Sequence, residues 1–204
     1  MDILWHGKTC FTIKGKDAVI VINPDKSIKT PLKGDIVLSS IGGKEDLAEV
    51  QGAKKIFDWA GEYEISDIPI VGMNAWTRSR STEEEAGEKG DRTIIFGMGV
   101  DKFKIYHLGG LGHKLTTEMV EDIGDVDVLM VPVGDESNLG GDKMEDVIDQ
   151  IEPRMVVFMG SGDRQAAAKK LSGTVPVEEQ EKLTINSREA LPDDKTIYTI
   201  LKAV

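Results

Sequence analysis

The chain has 204 residues and a mass of 22.3 kDa, and a compact chain of this size buries roughly 70% of its unfolded surface, so a real core needs no covalent staples. A composition of 40% hydrophobic and 30% charged residues excludes a disordered chain, and the single cysteine, Cys10, excludes an internal disulfide and any paired-cysteine zinc motif. The balance of 25 basic to 36 acidic residues gives a net charge of -11, the opposite sign to that of a nucleic-acid binder. No apolar run reaches the ~18 residues of a membrane span, and Met1-Asp2-Ile3 lacks the basic start of a signal peptide. A cytoplasmic protein with neither nucleic-acid nor membrane partners is expected.

Taken in chain order, Ile3 to Trp5, Cys10 to Ile13 and Ala18 to Ile22 are short apolar or alternating runs separated by Gly7-Lys8 and Gly15-Lys16-Asp17, the pattern of a β-meander. A strand from Asp35 to Leu38 runs into Ser39-Ser40-Ile41-Gly42-Gly43, with a short helix predicted from Lys44. Ile68 to Gly72 and Thr93 to Met98 read as strands, and the polar stretch Arg78 to Arg92, with Glu83-Glu84-Glu85, reads as a solvated loop. The second half changes rhythm. Strands are predicted at Lys104 to Leu108, Val126 to Val133 and Met155 to Met159, and helices at Thr116 to Ile123, Asp142 to Ile151 and Asp163 to Leu171. Leu183 to Ile185 and Thr196 to Leu201 close the chain as strands. Alternating strands and helices imply partly parallel pairing with helices covering a sheet. No linker or repeat divides the chain, so residues 1–204 are expected to form one domain.

Few residues offer chemistry. His107 and His113 are separated by Gly109-Gly110-Leu111-Gly112 without a standard ligand spacing. Cys10 and His6 could form a nucleophilic pair, but Cys10 lies in an apolar strand, where an inert thiol is expected. Ser40 with Lys44 has no third partner, and Ser39 to Lys44 lacks P-loop spacing. Gly160-Ser161-Gly162 follows a strand and opens a helix, a place where backbone N–H groups can hold an anion. Asp163 at the next position is expected to cap that helix and to repel phosphate.

Several segments nonetheless form a recognisable series from about Ile3 to Leu201. They are Trp5-His6-Gly7-Lys8-Thr9-Cys10-Phe11, Ile22-Asn23-Pro24, Gly61-Glu62-Tyr63-Glu64 and Tyr106-His107-Leu108-Gly109-Gly110-Leu111-Gly112-His113. Asp127-Val128-Leu129, Val131-Pro132-Val133-Gly134 and Gln150-Ile151-Glu152-Pro153 complete it. Together they resemble the metallo-β-lactamase superfamily, and within it the small zinc-dependent hydrolases of unassigned substrate. The resemblance implies an α/β fold, the two-layered αββα sandwich of that superfamily. It also implies a zinc centre built on a His-x-His-x-Asp-His turn, and here the chain departs from its relatives.

The positions of that turn read Ile41, Gly43, Glu45 and Asp46. Gly110 replaces the bridging aspartate, Gly160 replaces a late histidine, Lys8 replaces the opening histidine, and Asn23 stands for the aspartate of the aspartate-proline turn. Zinc in such a pocket lowers the pKa of bound water, but Ile and Gly side chains offer a cation no lone pair. The expectation is therefore a metal-free, inactive member of the fold with a binding or structural role, no zinc and no catalytic residue. Lys8, Asn23, Ile41, Gly43, Glu45, Asp46, Gly110 and Gly160 would mark its vestigial pocket. Two alternatives stand beside it: a hydrolase with a relocated metal site around Glu45, Asp46 and the histidines, and a binder of a small anion through Lys8, Ser161 and Gly162. Self-association is compatible with the sequence, and the small-molecule ligand is not specified by it.

Overall fold

The computed structural model describes residues 1–41, 46–78, 89–134, 141–173 and 177–204. The first part of the chain forms β1 (Asp2–Gly7), β2 (Cys10–Lys14), β3 (Val19–Ile22), β4 (Leu32–Lys33), β5 (Ile36–Leu38), β6 (Val50–Gln51) and β7 (Lys55–Phe57). Next come β8 (Gly61–Ile65), β9 (Ile68–Arg78), β10 (Lys89–Val100) and β11 (Phe103–His107). The remainder alternates α1 (Thr117–Ile123), β12 (Val128–Pro132), α2 (Gly141–Ile151), β13 (Met155–Met159) and α3 (Arg164–Ser172), and ends with β14 (Glu179–Gln180), β15 (Leu183–Thr184) and β16 (Ile197–Leu201).

Two sheets face each other. One has the order β15-β1-β2-β3-β5-β7 and the other β14-β16-β13-β12-β11-β10-β9-β8, while β4 and β6 form a separate parallel ribbon. The start is the expected meander, with β1, β2 and β3 antiparallel in turn. The later strands β11, β12, β13 and β16 pair in parallel, as the alternation with helices predicted. Strand alternation builds the core. Ile94, Phe96, Met98 and Val100 of β10 point inward to Ile3, Trp5, Phe11 and Ile13 of the first sheet. Residues between them on the second sheet, such as Ile95, Tyr106, Leu129 and Phe158, point outward to helices α1, α2 and α3. That is why β12 and β13 are buried at every position and read as unbroken apolar runs.

Among the described residues the three helices all cover the second sheet. The outer face of the first sheet carries Cys10, Val21 and Val37, roofed by Leu32, Val50 and the loop residues Ile28 and Leu47 rather than by a helix. Helix ends obey local chemistry. Thr116 accepts a hydrogen bond from the Met119 N–H at 3.2 Å, and Asp163 caps α3 through the Ala166 N–H at 2.9 Å, as its position implied.

Three features differ from the sequence reading. Strands β9 and β10 extend into the polar stretch read as a loop, because Lys89 pairs with Arg78 and Arg92 with Trp76 across the hairpin; the tip of that stretch lies outside the described residues. The short strands β4, β6, β7, β8 and β14 carried no apolar run long enough to read, and they form because a neighbouring strand supplies their hydrogen bonds. The helix expected from Lys44 starts in residues that are not described. Among the described residues no helix is long and apolar enough to cross a membrane.

Asp127, only 3% exposed, ties β11 to the loop before β13. Its carboxylate accepts from the Lys104 N–H at 2.8 Å and faces the Arg154 and Arg188 Nε atoms, each at 3.4 Å. Asp193, exposed, also meets Arg154. Removing a buried carboxylate strands its partners, whereas an exposed ion pair adds little. Asp127→Ala is expected to lower stability by about 2 kcal/mol and Asp193→Ala by less than about 0.5 kcal/mol, read from urea unfolding; equal losses would contradict the assignment.

Candidate functional site

The turns that leave β1, β3, β5, β11 and β13 converge at one edge of the sandwich. Asn23 ends β3 in the left-handed region at φ 48, a conformation that Asn tolerates better than most residues. Its side chain is buried and engaged on three bonds. Nδ2 donates to Thr9 Oγ1 at 3.0 Å and to Ser40 Oγ at 2.6 Å, and Oδ1 accepts from the Ser40 N–H at 2.7 Å. The Ser40 carbonyl in turn accepts from the Ile94 N–H at 2.9 Å and from Thr93 Oγ1 at 3.2 Å. Thr93 Oγ1 accepts from the Gly110 N–H at 3.0 Å.

His107 closes the circuit. The Gly109 N–H lies 3.1 Å from Nδ1, and since an amide can only donate, Nδ1 is the acceptor. The proton therefore sits on Nε2, which donates to the Thr9 carbonyl at 3.0 Å. The ring is 0% exposed, and burial pushes its pKa down to about 4. Hydrogen bonds thus run from Thr9 through Asn23, Ser40, Thr93 and Gly110 on one side, and from Thr9 through His107 to Gly109 on the other. Gly109 and Gly110 are consecutive, so the loop of contacts is closed. Sequence reasoning singled out Asn23 and Gly110 but gave Thr9 and Thr93 no role; Thr9 lay inside the Trp5-to-Phe11 segment of the resemblance, and Thr93 was read only as the start of a strand.

The other described positions singled out in the sequence lie elsewhere on or near this edge. Ile41 is 58% exposed and forms a bridge to Thr93, so it points away from the hydrogen-bonded ring. Asp46 is exposed, and Gly43 and Glu45 lie outside the described residues. Trp59, 62% exposed, flanks the same edge with the Arg92 guanidinium 4.5 Å above its ring. Gly160 has φ +101, and a Cβ there would stand 2.5 Å from the Val133 carbonyl oxygen. A histidine at this position would therefore meet backbone, not space.

Neither alternative gains support from the geometry. Lys8 forms an ion pair with Asp25 at 3.0 Å, and hydrogen bonds from Ser27 and Lys8 hold the Asp25 carboxyl down at about 2. The Gly160 N–H donates to the Lys8 carbonyl, the Gly162 N–H to the Val133 carbonyl and the Ser161 hydroxyl to the Gly134 carbonyl. These anion-binding donors are thus turned into the protein. For a relocated metal, the histidines lie in separate contacts. His6 Nε2 shares a hydrogen bond with Thr12 Oγ1, while His113 Nε2 accepts from the Trp76 N–H and its Nδ1 reaches the Lys114 carbonyl. Among the described residues no three His, Cys, Asp or Glu side chains form a group that could hold a metal ion. Cys10 is buried, and burial raises its thiol to about 12. The residues present do not fit a zinc centre: the Asn23 amide presents N–H donors, and both His107 nitrogens are engaged.

Comparison with known proteins adds the following. The family model described as a beta-lactamase superfamily domain matches residues 2–160. A UPF0173 metal-dependent hydrolase from Methanopyrus kandleri is 20% identical over an alignment of 194 positions, with 79% of this chain and 84% of that one covered. A UPF0173 protein from Pyrococcus abyssi is 28% identical over 182 residues, with the same shares, 79% and 84%. A Thermotoga maritima structure described as a Zn-dependent hydrolase of the metallo-beta-lactamase superfamily superposes with a TM-score of 0.78 at 23% identity, covering 98% of this chain and 99% of that chain.

Two outcomes test the site. Because the His107 pKa is lowered in the folded state, the unfolded chain takes up a proton between about pH 6.5 and 4 that the folded chain refuses. Stability is then complete above that window and falls on acidification, by roughly 3 kcal/mol from this group. The His107 Cε1–H resonance should stay flat down to about pH 5; titration near the ordinary histidine value would refute the buried tautomer. Asn23→Asp removes two donors and should cost about 1–3 kcal/mol at neutral pH, read from thermal or urea unfolding; an unchanged protein would show that the ring does not carry stability.

Proposed function

Because this chain belongs to the beta-lactamase superfamily, we propose that it is a metal-free, non-hydrolytic member of that fold with a binding or structural role. The names of its relatives include metal-dependent hydrolases, so the family's ordinary chemistry needs a cation. The observation that carries the opposite reading for this chain is the closed hydrogen-bond ring through Asn23, Ser40, Thr93 and His107. A divalent cation needs three or four lone pairs converging on one point. This edge instead offers two amide protons from Asn23, a hydroxyl already accepting from Gly110, and an imidazole with both nitrogens bonded. With no metal to lower the pKa of water, no residue here takes the place of the activated nucleophile. Thr9, Asn23 and Ser40 join the turns of this edge by hydrogen bonds, which supports closure without an ion.

The direct test is metal content. After incubation with zinc and manganese and desalting, elemental mass spectrometry is expected to find below about a tenth of an equivalent per chain, since among the described residues no set of ligands converges to retain the ion. Addition of a chelator is expected to leave the unfolding midpoint unchanged. Retention of near one or two equivalents, lost with Asp46→Ala or His107→Ala, would overturn the reading.

A further inference from the structure

Among the described residues three large apolar side chains stand well exposed: Trp59 at 62%, Ile41 at 58% and Val204 at 44%. A lone exposed side chain of this kind is ordinary, whereas neighbours that form a patch mark a contact. Ile41 and Trp59 are such neighbours. Ile41 bridges Thr93 on β10, and the residue before Thr93 is Arg92, whose guanidinium lies 4.5 Å from the centre of the Trp59 ring. The loop that carries Trp59 is held in place. The Tyr63 hydroxyl donates to the Trp59 carbonyl at 3.0 Å, and Arg92 Nη2 donates to the Asp58 carbonyl at 3.3 Å. A Cβ at Gly72 would stand 3.0 Å from the Trp59 carbonyl oxygen, so the loop rests on bare backbone. Arg92 covers one face of the indole, and most of the side chain stays in water on a fixed frame. A large aromatic held this way loses little entropy when it docks, and such residues anchor interfaces.

We propose that this face is the interface of a symmetric dimer, in which Trp59 and Ile41 of one copy pack against Trp59 and Ile41 of a second copy of this chain. Charge selects the occupant. The chain carries a net charge of -11, which opposes the approach of two copies over most of their surface. At this edge the described charges cancel. Lys8, Lys26 and Arg92 are matched in number by Asp25, Asp46 and Asp58, and Lys8 meets Asp25 at 3.0 Å. They lie together because Asp25 bridges Leu47, the neighbour of Asp46, and Arg92 bonds the Asp58 carbonyl. A face without net charge gives no hold to a nucleic acid, an anionic lipid surface or a basic peptide, and it complements a copy of itself. The other open apolar surface shows the contrast. A cleft of about 700 Å³ over Gly97 and Gly99 is rimmed by the exposed Glu62, Glu64 and Asp122, and two copies meeting there would set carboxylate against carboxylate. The dimer contact uses side chains outside the Asn23 ring, so it stands whether or not the chain retains a metal.

The test is sedimentation velocity of the whole chain from about 1 μM to about 1 mM. A monomer–dimer equilibrium is expected, with a dissociation constant of about 100 μM, the weak end for a small interface. Raising salt from about 50 to about 500 mM should tighten it about threefold, because screening relieves the repulsion between two acidic copies. Trp59→Ser is expected to weaken it at least about tenfold, since each dimer loses the anchor twice. Ile41→Lys should do the same, because a two-fold axis sets each new cation against its copy. Both positions are exposed, and an unchanged unfolding midpoint at about 1 μM, where the chain is monomeric, verifies that the variants fold. A chain that stays monomeric to about 1 mM would overturn the proposal. So would a dimer that survives both substitutions, growth into larger species with concentration, or weakening by salt.

Discussion

Everything at the open edge of this sandwich depends on one buried amide. Asn23 holds Thr9 on the turn after β1 and Ser40 on the turn after β5, and Ser40 reaches across to Thr93 and Ile94 on the opposite sheet. A net gain of about 1 kcal/mol for each such bond is modest. The larger constraint is the penalty for leaving any of these groups unpaired once the edge is closed to water. No member of the ring can be withdrawn without stranding another, which makes the arrangement cooperative. The left-handed backbone at Asn23 is part of the same device, because it turns the side chain back toward its own sheet.

That closure fixes both ring nitrogens of His107, and separate contacts do the same for His113. An imidazole serves as a base or a ligand only while one nitrogen keeps a free lone pair. In His107 the Gly109 amide takes the Nδ1 lone pair and the Thr9 carbonyl takes the Nε2 proton, and in His113 the Trp76 amide and the Lys114 carbonyl divide the two nitrogens the other way round. Opposite tautomers in one chain follow from which neighbour is a donor and which an acceptor. Backbone closeness does the rest at Gly160 and Gly109, where any side chain would meet a carbonyl or a hydroxyl at 2.5 to 2.7 Å.

The second sheet shows the same material put to another use. Its inner face and its helix-covered half are filled with large apolar side chains. Beyond the helices, Gly97 and Gly99 leave a shallow space that Tyr106 and Pro69 only partly fill. The edge carboxylates at Glu62 and Glu64 give that space a sign.

How much of this could be read from residues alone follows from how local each determinant is. The apolar runs of β12 and β13, the cap at Asp163, the turn glycines and the buried Cys10 are set by neighbours a few residues away, so their identity was visible in the sequence. The same holds for the residue types at Ile41 and Gly110, since side-chain type alone decides whether a lone pair exists. Strands β7 and β8, the extension of the β9–β10 hairpin and the tautomer of His107 were not visible, because each depends on a partner brought from far along the chain. Thr9 and His107 are 98 residues apart. By itself, then, the sequence determined the fold class and the residue types available at the open edge. Only the tertiary structure decided that the turns at the open edge are joined by hydrogen bonds and that outward glycines leave a cleft elsewhere, because hydrogen-bond satisfaction and steric room are properties of groups that meet in space.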